Sequence, residues 1–243
     1  MINGILSTLY TLWVFIIFTV FMFVVVPFIV IPSLLGEQFV WVSYKALWFW
    51  SWIFDKLTGI RYKLINKGVI DKKKSYIFVS NHTSFLDAPG VRLMIPGEFR
   101  PLAKKELGKI PVLGAIVKSA CIIVDRGDHT SRKKSMEKLR EVIARGISPL
   151  LFAEGTQNRT KELLKHFKDG AFRTAIETQT DILPMVVIGA SKILYPGTIK
   201  ITSPGVIKVV AGPAIAVKDF GNDSSALKQH TYEVMLNLIK SNL

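Results

Sequence analysis

The fold is decided by a short stretch, residues 76–87, which reads Tyr-Ile-Phe-Val-Ser-Asn-His-Thr-Ser-Phe-Leu-Asp. Its first half is rich in aromatic and β-branched residues, which favours a β-strand over Tyr76–Ser80. Polar residues follow this strand, and the segment Asp87–Ile95 is then predicted as a helix. A buried strand that runs into a polar turn and a helix is typical of an α/β protein.

The same alternation continues through the rest of the chain. β-Strands are predicted at Arg61–Ile65, Tyr76–Ser80, Cys121–Val124, Leu150–Phe152, Leu183–Ile188 and Val206–Val210. Helices are predicted at Asp87–Ile95, Val112–Ser119, Ser131–Arg145, Ala171–Thr178 and Ser224–Lys240. Because strands and helices alternate, we expect an α/β fold with a largely parallel sheet flanked by helices.

The N-terminal region is apolar, and its first 36 residues contain no Asp, Glu, Lys or Arg. The run Ile5–Val26 predicts a helix about 33 Å long at 1.5 Å per residue, close to the hydrocarbon thickness of a bilayer. Pro27 and Pro32 are expected to interrupt it. The second apolar stretch, Phe39–Phe54, contains four of the five tryptophans, and tryptophan prefers the membrane–water interface.

These two stretches predict a two-helix membrane anchor over residues 1–60, followed by an α/β domain over residues 61–243. Residues 1–60 hold two basic and two acidic residues, so the whole net charge of +14 lies in residues 61–243 (30 basic minus 16 acidic). Basic residues directly follow the anchor, which predicts that the α/β domain lies on the cytoplasmic side. The sequence leaves open whether the first helix crosses the bilayer or stays in one leaflet.

Composition excludes several classes of protein. A hydrophobic content of 49% excludes an intrinsically disordered chain. The single cysteine, Cys121, excludes an internal disulfide framework and a zinc site built from several cysteines.

His82 and Asp87 form the first candidate site, because they lie five residues apart on a turn that enters a helix. The Asp carboxylate can curl back onto the imidazole, fix its tautomer and favour the imidazolium, which leaves the other ring nitrogen as a general base. The structural alternative is a histidine that only caps the helix.

Two further turns carry polar residues after apolar strands. The first contains Glu154, Gly155, Thr156 and Arg159, and such a turn can present backbone N–H groups and a cation to an oxyanion. The second is the pair Asp125–Arg126. Its structural alternative is a surface salt bridge that contributes little to stability.

At these three places the chain resembles the glycerolipid acyltransferase family, specifically the 1-acylglycerol-3-phosphate acyltransferases. That family carries N-H-x-S-x-x-D, G-x-x-F/I-x-x-R, F-P-E-G-T-R and an apolar V-P strand, in this order. The first block is complete here, and Leu183-Pro184 matches the fourth. Ala120 stands where the family has Gly, Ala153 where it has Pro, and Gln157 where it has Arg. The resemblance covers about residues 61–215.

The resemblance implies transfer of an acyl group from a thioester to the free hydroxyl of lysophosphatidic acid. His82 would be the general base and Asp87 its orienting partner, without an acyl-enzyme, because no G-x-S-x-G motif occurs and Cys121 lies in an apolar strand candidate. Backbone N–H groups near Ser84 or Gly155 would stabilise the oxyanion. The substrate-binding candidates are Ser84, Lys104, Lys105, Arg126, Glu154, Gly155, Thr156 and Arg159.

The expected partners are membrane lipids, lysophosphatidic acid, and acyl-CoA or acyl carrier protein as donor substrate, with no cofactor and no metal. Loss of the family arginine at Gln157 keeps two other acceptors open, glycerol 3-phosphate and another lysophospholipid. A non-enzymatic alternative is a membrane-tethered basic module that binds nucleic acid. The aromatic residues cluster in the anchor rather than among the basic residues, so a base-stacking platform is not evident and we expect no nucleic-acid partner.

Overall fold

The computed structural model describes residues 4–125 and 129–243. The helices in these ranges are α1 (Gly4–Leu35), α2 (Val40–Leu57), α3 (Asp87–Met94), α4 (Leu113–Ala120), α5 (His129–Ala144), α6 (Gly170–Thr178), α7 (Ala190–Ile193) and α8 (Ser224–Lys240). The strands are β1 (Ile60–Ile65), β2 (Ile77–Ser80), β3 (Phe99–Lys104), β4 (Ile122–Val124), β5 (Ser148–Phe152), β6 (Ile182–Ile188) and β7 (Gly205–Ala211).

The described strands form one seven-stranded sheet in the order β1-β7-β6-β2-β5-β3-β4. The run from β6 to β4 is parallel, whereas β7 pairs antiparallel with β6 and β1 pairs parallel with β7. The prediction of a largely parallel α/β sheet is therefore confirmed. Because β2 lies in the middle of the sheet, the turn that follows it lies at the centre of the carboxyl edge, where α/β proteins bind ligands.

Helices cover both faces of the sheet, as the alternation of side chains along β2 requires. Phe78 points to the face covered by α1, α2 and α3, and it belongs to the same buried cluster as Ile29 of α1. Ile77 and Val79 point to the opposite face, where they pack with residues of α5, α6 and α8. Two separate hydrophobic layers therefore hold β2 and the turn behind it in place.

α1 and α2 form an antiparallel hairpin on the first face. Phe18 meets Trp50 edge-on with 5.2 Å between ring centroids, and the Tyr10 hydroxyl donates to the Thr58 carbonyl at 2.7 Å. Ser43 Oγ donates to the carbonyl of Ile29 at 2.9 Å. The outer side of the hairpin leaves large apolar side chains exposed. By length and composition α1 is apolar enough to cross a membrane, which indicates membrane association.

The expected interruption of the first helix at Pro27 and Pro32 is wrong, because α1 continues through both prolines to Leu35. A proline removes one helical hydrogen bond. Ending the helix would instead leave up to four backbone carbonyls unpaired among apolar side chains, which costs more. The 32 residues of α1 therefore reach about 48 Å.

Strand β3 was not predicted from the sequence. It contains Arg100, Pro101 and Lys104, which disfavour a strand. The first half of β3 pairs with β5 and the second half with β4, so tertiary pairing overrides the local preference. Cys121, predicted inside a strand, instead follows α4 directly and precedes β4.

Candidate active site

The His82–Asp87 pair lies on the turn between β2 and α3. His82 Nδ1 is 2.8 Å from Asp87 Oδ2, and Asp87 is fully buried. The same carboxylate oxygen accepts the backbone N–H groups of Thr83 at 2.7 Å and Ser84 at 2.9 Å. Because the carboxylate is an acceptor, Nδ1 carries the proton, which leaves Nε2 as the basic nitrogen of the ring.

The His82 ring and backbone are also held by the turn that follows β5. The imidazole stacks on Phe152 with 4.1 Å between ring centroids. The His82 N–H donates to Glu154 Oε1 at 3.2 Å, and its carbonyl accepts the Asn158 N–H at 2.7 Å. The pairing of β2 with β5 therefore brings the first and third sequence blocks into contact.

Glu154 is buried, and both of its carboxylate oxygens accept hydrogen bonds from backbone N–H groups. Oε1 accepts from His82, and Oε2 accepts the Lys165 N–H at 3.1 Å. Burial raises the pKa of Glu154, and the two backbone hydrogen bonds oppose that rise. The geometry gives Glu154 a contact that positions His82.

Ser84 and Gly155 make hydrogen bonds to other residues of the protein. The Ser84 hydroxyl is buried, donates to the Leu194 carbonyl at 2.8 Å and accepts the Leu86 N–H at 3.2 Å. The Gly155 N–H donates to the Phe152 carbonyl at 2.9 Å. Since the Ser84 N–H donates to Asp87, both backbone groups expected to stabilise an oxyanion already have partners.

Two candidate substrate-binding residues, Thr156 and Arg159, are exposed on the turn after β5. Lys165 Nζ donates to Thr156 Oγ1 at 3.0 Å. The Arg159 guanidinium lies against Gly197, where an added Cβ would be 3.2 Å from Nη2. This turn therefore holds cations next to the turn that carries His82.

The other predicted cations lie further along the carboxyl edge. Lys104 and Lys105 are exposed at the end of β3, one strand beyond β5, where they pair with Glu106 at 3.3 Å and Asp125 at 3.1 Å. Arg126 lies outside the described residues.

Sequence reasoning missed several groups that position the site. Asn81 is buried, and its amide bonds the Val187 N–H at 2.7 Å and the Val187 carbonyl at 2.9 Å, which ties the turn to β6. Asn81 and Phe152 lie in the quoted family blocks, so a signal was present. Lys165 lies in an irregular loop and has no such signal. The Gln157 amide nitrogen is buried without a hydrogen-bond partner in the described part of the chain.

The rest of the described chain offers no obvious nucleophile or metal site. Burial raises the pKa of the Cys121 thiol to about 12, so almost none of it is thiolate near neutral pH. Among the described residues, no cluster of three His, Cys, Asp or Glu side chains is placed to hold a metal ion.

A histidine held by a buried carboxylate at the carboxyl edge of a parallel sheet, beside a long apolar helix, defines a class. This is the class of α/β proteins that carry a histidine–carboxylate pair at the carboxyl edge of the sheet and a long apolar N-terminal helix. A family model described as Acyltransferase matches residues 61–188, more than half of the chain. The chain therefore belongs to the acyltransferase family.

Curated relatives agree with this assignment. An uncharacterized acyltransferase of Schizosaccharomyces pombe is 31% identical over 186 residues, which are 75% of this chain and 67% of that protein. A 1-acyl-sn-glycerol-3-phosphate acyltransferase of Helicobacter pylori is 34% identical over 58% of each chain. One from Limnanthes douglasii is 34% identical over 60% of this chain and 50% of its own. The chain thus spans between half and two thirds of the length of these relatives.

A solved structure shares the fold. The 1-acyl-sn-glycerophosphate (LPA) acyltransferase PlsC of Thermotoga maritima superposes with a TM-score of 0.81. The match covers 96% of this chain and 95% of that one, at 22% sequence identity. At this identity the likeness establishes the fold.

Proposed function

We propose that the protein transfers a fatty acyl group from an acyl thioester to the free hydroxyl of lysophosphatidic acid, which forms phosphatidic acid. The observation that carries this proposal is the contact between His82 Nδ1 and the buried Asp87 carboxylate. Relatives named 1-acyl-sn-glycerol-3-phosphate acyltransferases support the choice of acceptor.

The proposed reaction is a direct transfer. His82 Nε2 removes the hydroxyl proton while that oxygen attacks the thioester carbon, and Asp87 stabilises the imidazolium that forms. The new C–O bond replaces the C–S bond, and the departing thiolate takes the proton from His82. A covalent acyl-enzyme on Cys121 is disfavoured, because burial raises the pKa of that thiol to about 12.

We propose that the acceptor phosphate binds near the turn after β5. A phosphomonoester carries close to two negative charges at neutral pH. Lys165 supplies a cation beside Thr156, and Arg159 supplies a second one, which lies against Gly197. Lys104 and Lys105 are more distant candidates that already face carboxylates, and Arg126 stays a candidate from sequence. Glycerol 3-phosphate and other lysophospholipids remain the alternative acceptors, since Gln157 replaces the family arginine.

Two further points stay proposals. We propose that the α/β domain lies on the cytoplasmic side of the membrane, as the basic residues after the anchor predict. We propose acyl-CoA or acyl carrier protein as the donor, and the anchor over residues 1–60 as the element that keeps the site at the lipid surface.

The decisive experiment compares His82→Ala with a matched control. Loss of a general base lowers turnover by about 10²–10⁴-fold, so we expect His82→Ala to abolish acyl transfer while the protein stays folded and binds membranes as before. A lower Tm is expected, because the buried Asp87 carboxylate loses a hydrogen-bond partner. His230→Ala is the control, because His230 is exposed on α8. The assay uses detergent-purified protein, several phosphorylated and zwitterionic acceptors, and both donors. If His82→Ala keeps more than about a tenth of the wild-type rate, the general-base role is wrong.

A further inference from the structure

A short hairpin, residues 193–202, connects α7 to β7 at the carboxyl edge of the sheet, and we call it the site hairpin. Leu194 and Ile201 form an antiparallel bridge, and the Thr198 N–H donates to the Tyr195 carbonyl at 3.1 Å. Pro196 and Gly197, with φ of +86° at the glycine, occupy the central positions of this tight turn, as a type II turn requires. The tip is therefore preorganised.

One strand of the site hairpin is fixed to α1. The Ile201 N–H donates to Thr11 Oγ1 at 3.0 Å, and Ser7 Oγ donates to the Ile201 carbonyl at 3.1 Å. Ser7 and Ile201 are both buried at this junction. Ile199 is two residues away from Ile201, so this side of the hairpin lies near the first turns of α1.

The other strand of the site hairpin touches both catalytic turns. The Leu194 carbonyl accepts the Ser84 hydroxyl at 2.8 Å. The Tyr195 hydroxyl donates to the Arg159 carbonyl at 3.3 Å, and Gly197 lies against the Arg159 guanidinium. The hairpin therefore links the apolar helix to the site through direct hydrogen bonds.

The tip exposes side chains that suit a lipid surface rather than water. Ile199 is 74% exposed, more than any other large apolar side chain described outside α1, and Tyr195 is 53% exposed. Lys192 and Lys200 flank them and are also exposed. Aliphatic and tyrosine side chains with lysines at their edge match the apolar boundary and the anionic headgroups of a membrane.

We propose that the site hairpin is a second membrane contact, which inserts Ile199 and Tyr195 into the lipid surface beside α1. The occupant is a lipid surface because Ser7 and Thr11 hold the hairpin against α1, the helix that is apolar enough to cross a membrane. Lys192 and Lys200 reach the anionic headgroups of that surface. This contact goes beyond acyl transfer, since it needs no reaction at His82.

The test places an environment-sensitive fluorophore at the tip. Full-length Ile199→Cys is labelled in a Cys121→Ala background, and Val69→Cys is the matched control, since Val69 is 44% exposed at the opposite edge of the sheet. Vesicles contain phosphatidylcholine, phosphatidylglycerol and a nitroxide-bearing lipid. We expect a blue shift and strong quenching at position 199 and neither at position 69. If the label at position 199 shows neither a blue shift nor quenching while the protein is bound to vesicles, the proposal is overturned.

A second measurement separates lipid from a protein partner. Titration with acidic acyl carrier protein instead of vesicles is expected to leave the 199 label unchanged, and a response to that protein without one to lipid overturns the proposal. Ile199→Asp is expected to lower the initial rate at which labelled lipid passes from vesicles into the site of the protein. The labelled Ile199→Cys protein that also carries His82→Ala is expected to give the same fluorescence response to vesicles as the labelled protein with His82. The surface contact and the acyl-transfer proposal can therefore fail independently.

Discussion

At the scale of single residues, Glu154 shows how a buried carboxylate positions His82, the proposed general base. Its two oxygens accept the backbone N–H groups of His82 and Lys165. Glutamine has one acceptor oxygen, so Glu154→Gln places an amide N–H against one of these donors. We expect a loss of about 1–3 kcal/mol in the free energy of unfolding and a lower kcat at an unchanged KM for the acceptor. Chemical denaturation and steady-state kinetics measure both.

Glu162→Gln is the control for this change, because Glu162 is exposed in the same loop. A higher acceptor KM with unchanged stability in Glu154→Gln would instead favour direct substrate binding by Glu154.

The same residues show what the sequence reveals about the site. The His82–Asp87 contact was predictable because the spacing and the strand–turn–helix order are local properties of residues 76–87. The partners of Glu154 were not predictable, since Lys165 reaches it from an irregular loop. The buried hydroxyl of Ser84 bonds Leu194, which lies 110 residues away in the chain. Pairings at such distances depend on tertiary structure.

At the scale of elements, α3 carries Asp87 and packs unusually close to the sheet. A Cβ added at Gly90 would lie 2.8 Å from Tyr62 Cδ1 and 2.8 Å from Val209 Cγ2. We therefore expect Gly90→Ala to push α3 away from β1 and β7, with a stability loss of about 1–3 kcal/mol and a fall in kcat. Thermal unfolding and kinetics measure both effects.

Gly68→Ala is the matched control, because nothing lies within 4 Å of an added Cβ there. Normal kinetics in Gly90→Ala would mean that α3 does not set the position of Asp87.

Among the elements, the order of strands and helices was predictable from composition and periodicity. The course of α1 through its prolines and the pairing of β3 were not, because both depend on surroundings that local propensity omits.

At the scale of the whole molecule, the apolar helices complete the core. Ile29 of α1 and Tyr44 of α2 are buried in one cluster with Phe78 of β2. Deleting residues 1–58 is therefore expected to give an aggregated protein, because it uncovers one apolar face of the sheet. Ile16→Ser with Phe23→Ser is the comparison, since these outer side chains are 46% and 60% exposed. We expect this double variant to keep its fold and bind vesicles more weakly.

Size-exclusion chromatography, circular dichroism and vesicle sedimentation distinguish these outcomes. A monodisperse, folded protein after the deletion would contradict the shared core.

The pairing of β1 with β7 also has a consequence for how the protein is made. Ile65 lies opposite Val210, so β1 leaves the ribosome 145 residues before its partner. At about 5–20 residues per second, that delay lasts roughly 7–30 seconds. During this time the nascent chain carries an apolar hairpin and an unpaired strand edge. Early delivery to a bilayer, while translation continues, would shelter the hairpin until the last strand arrives.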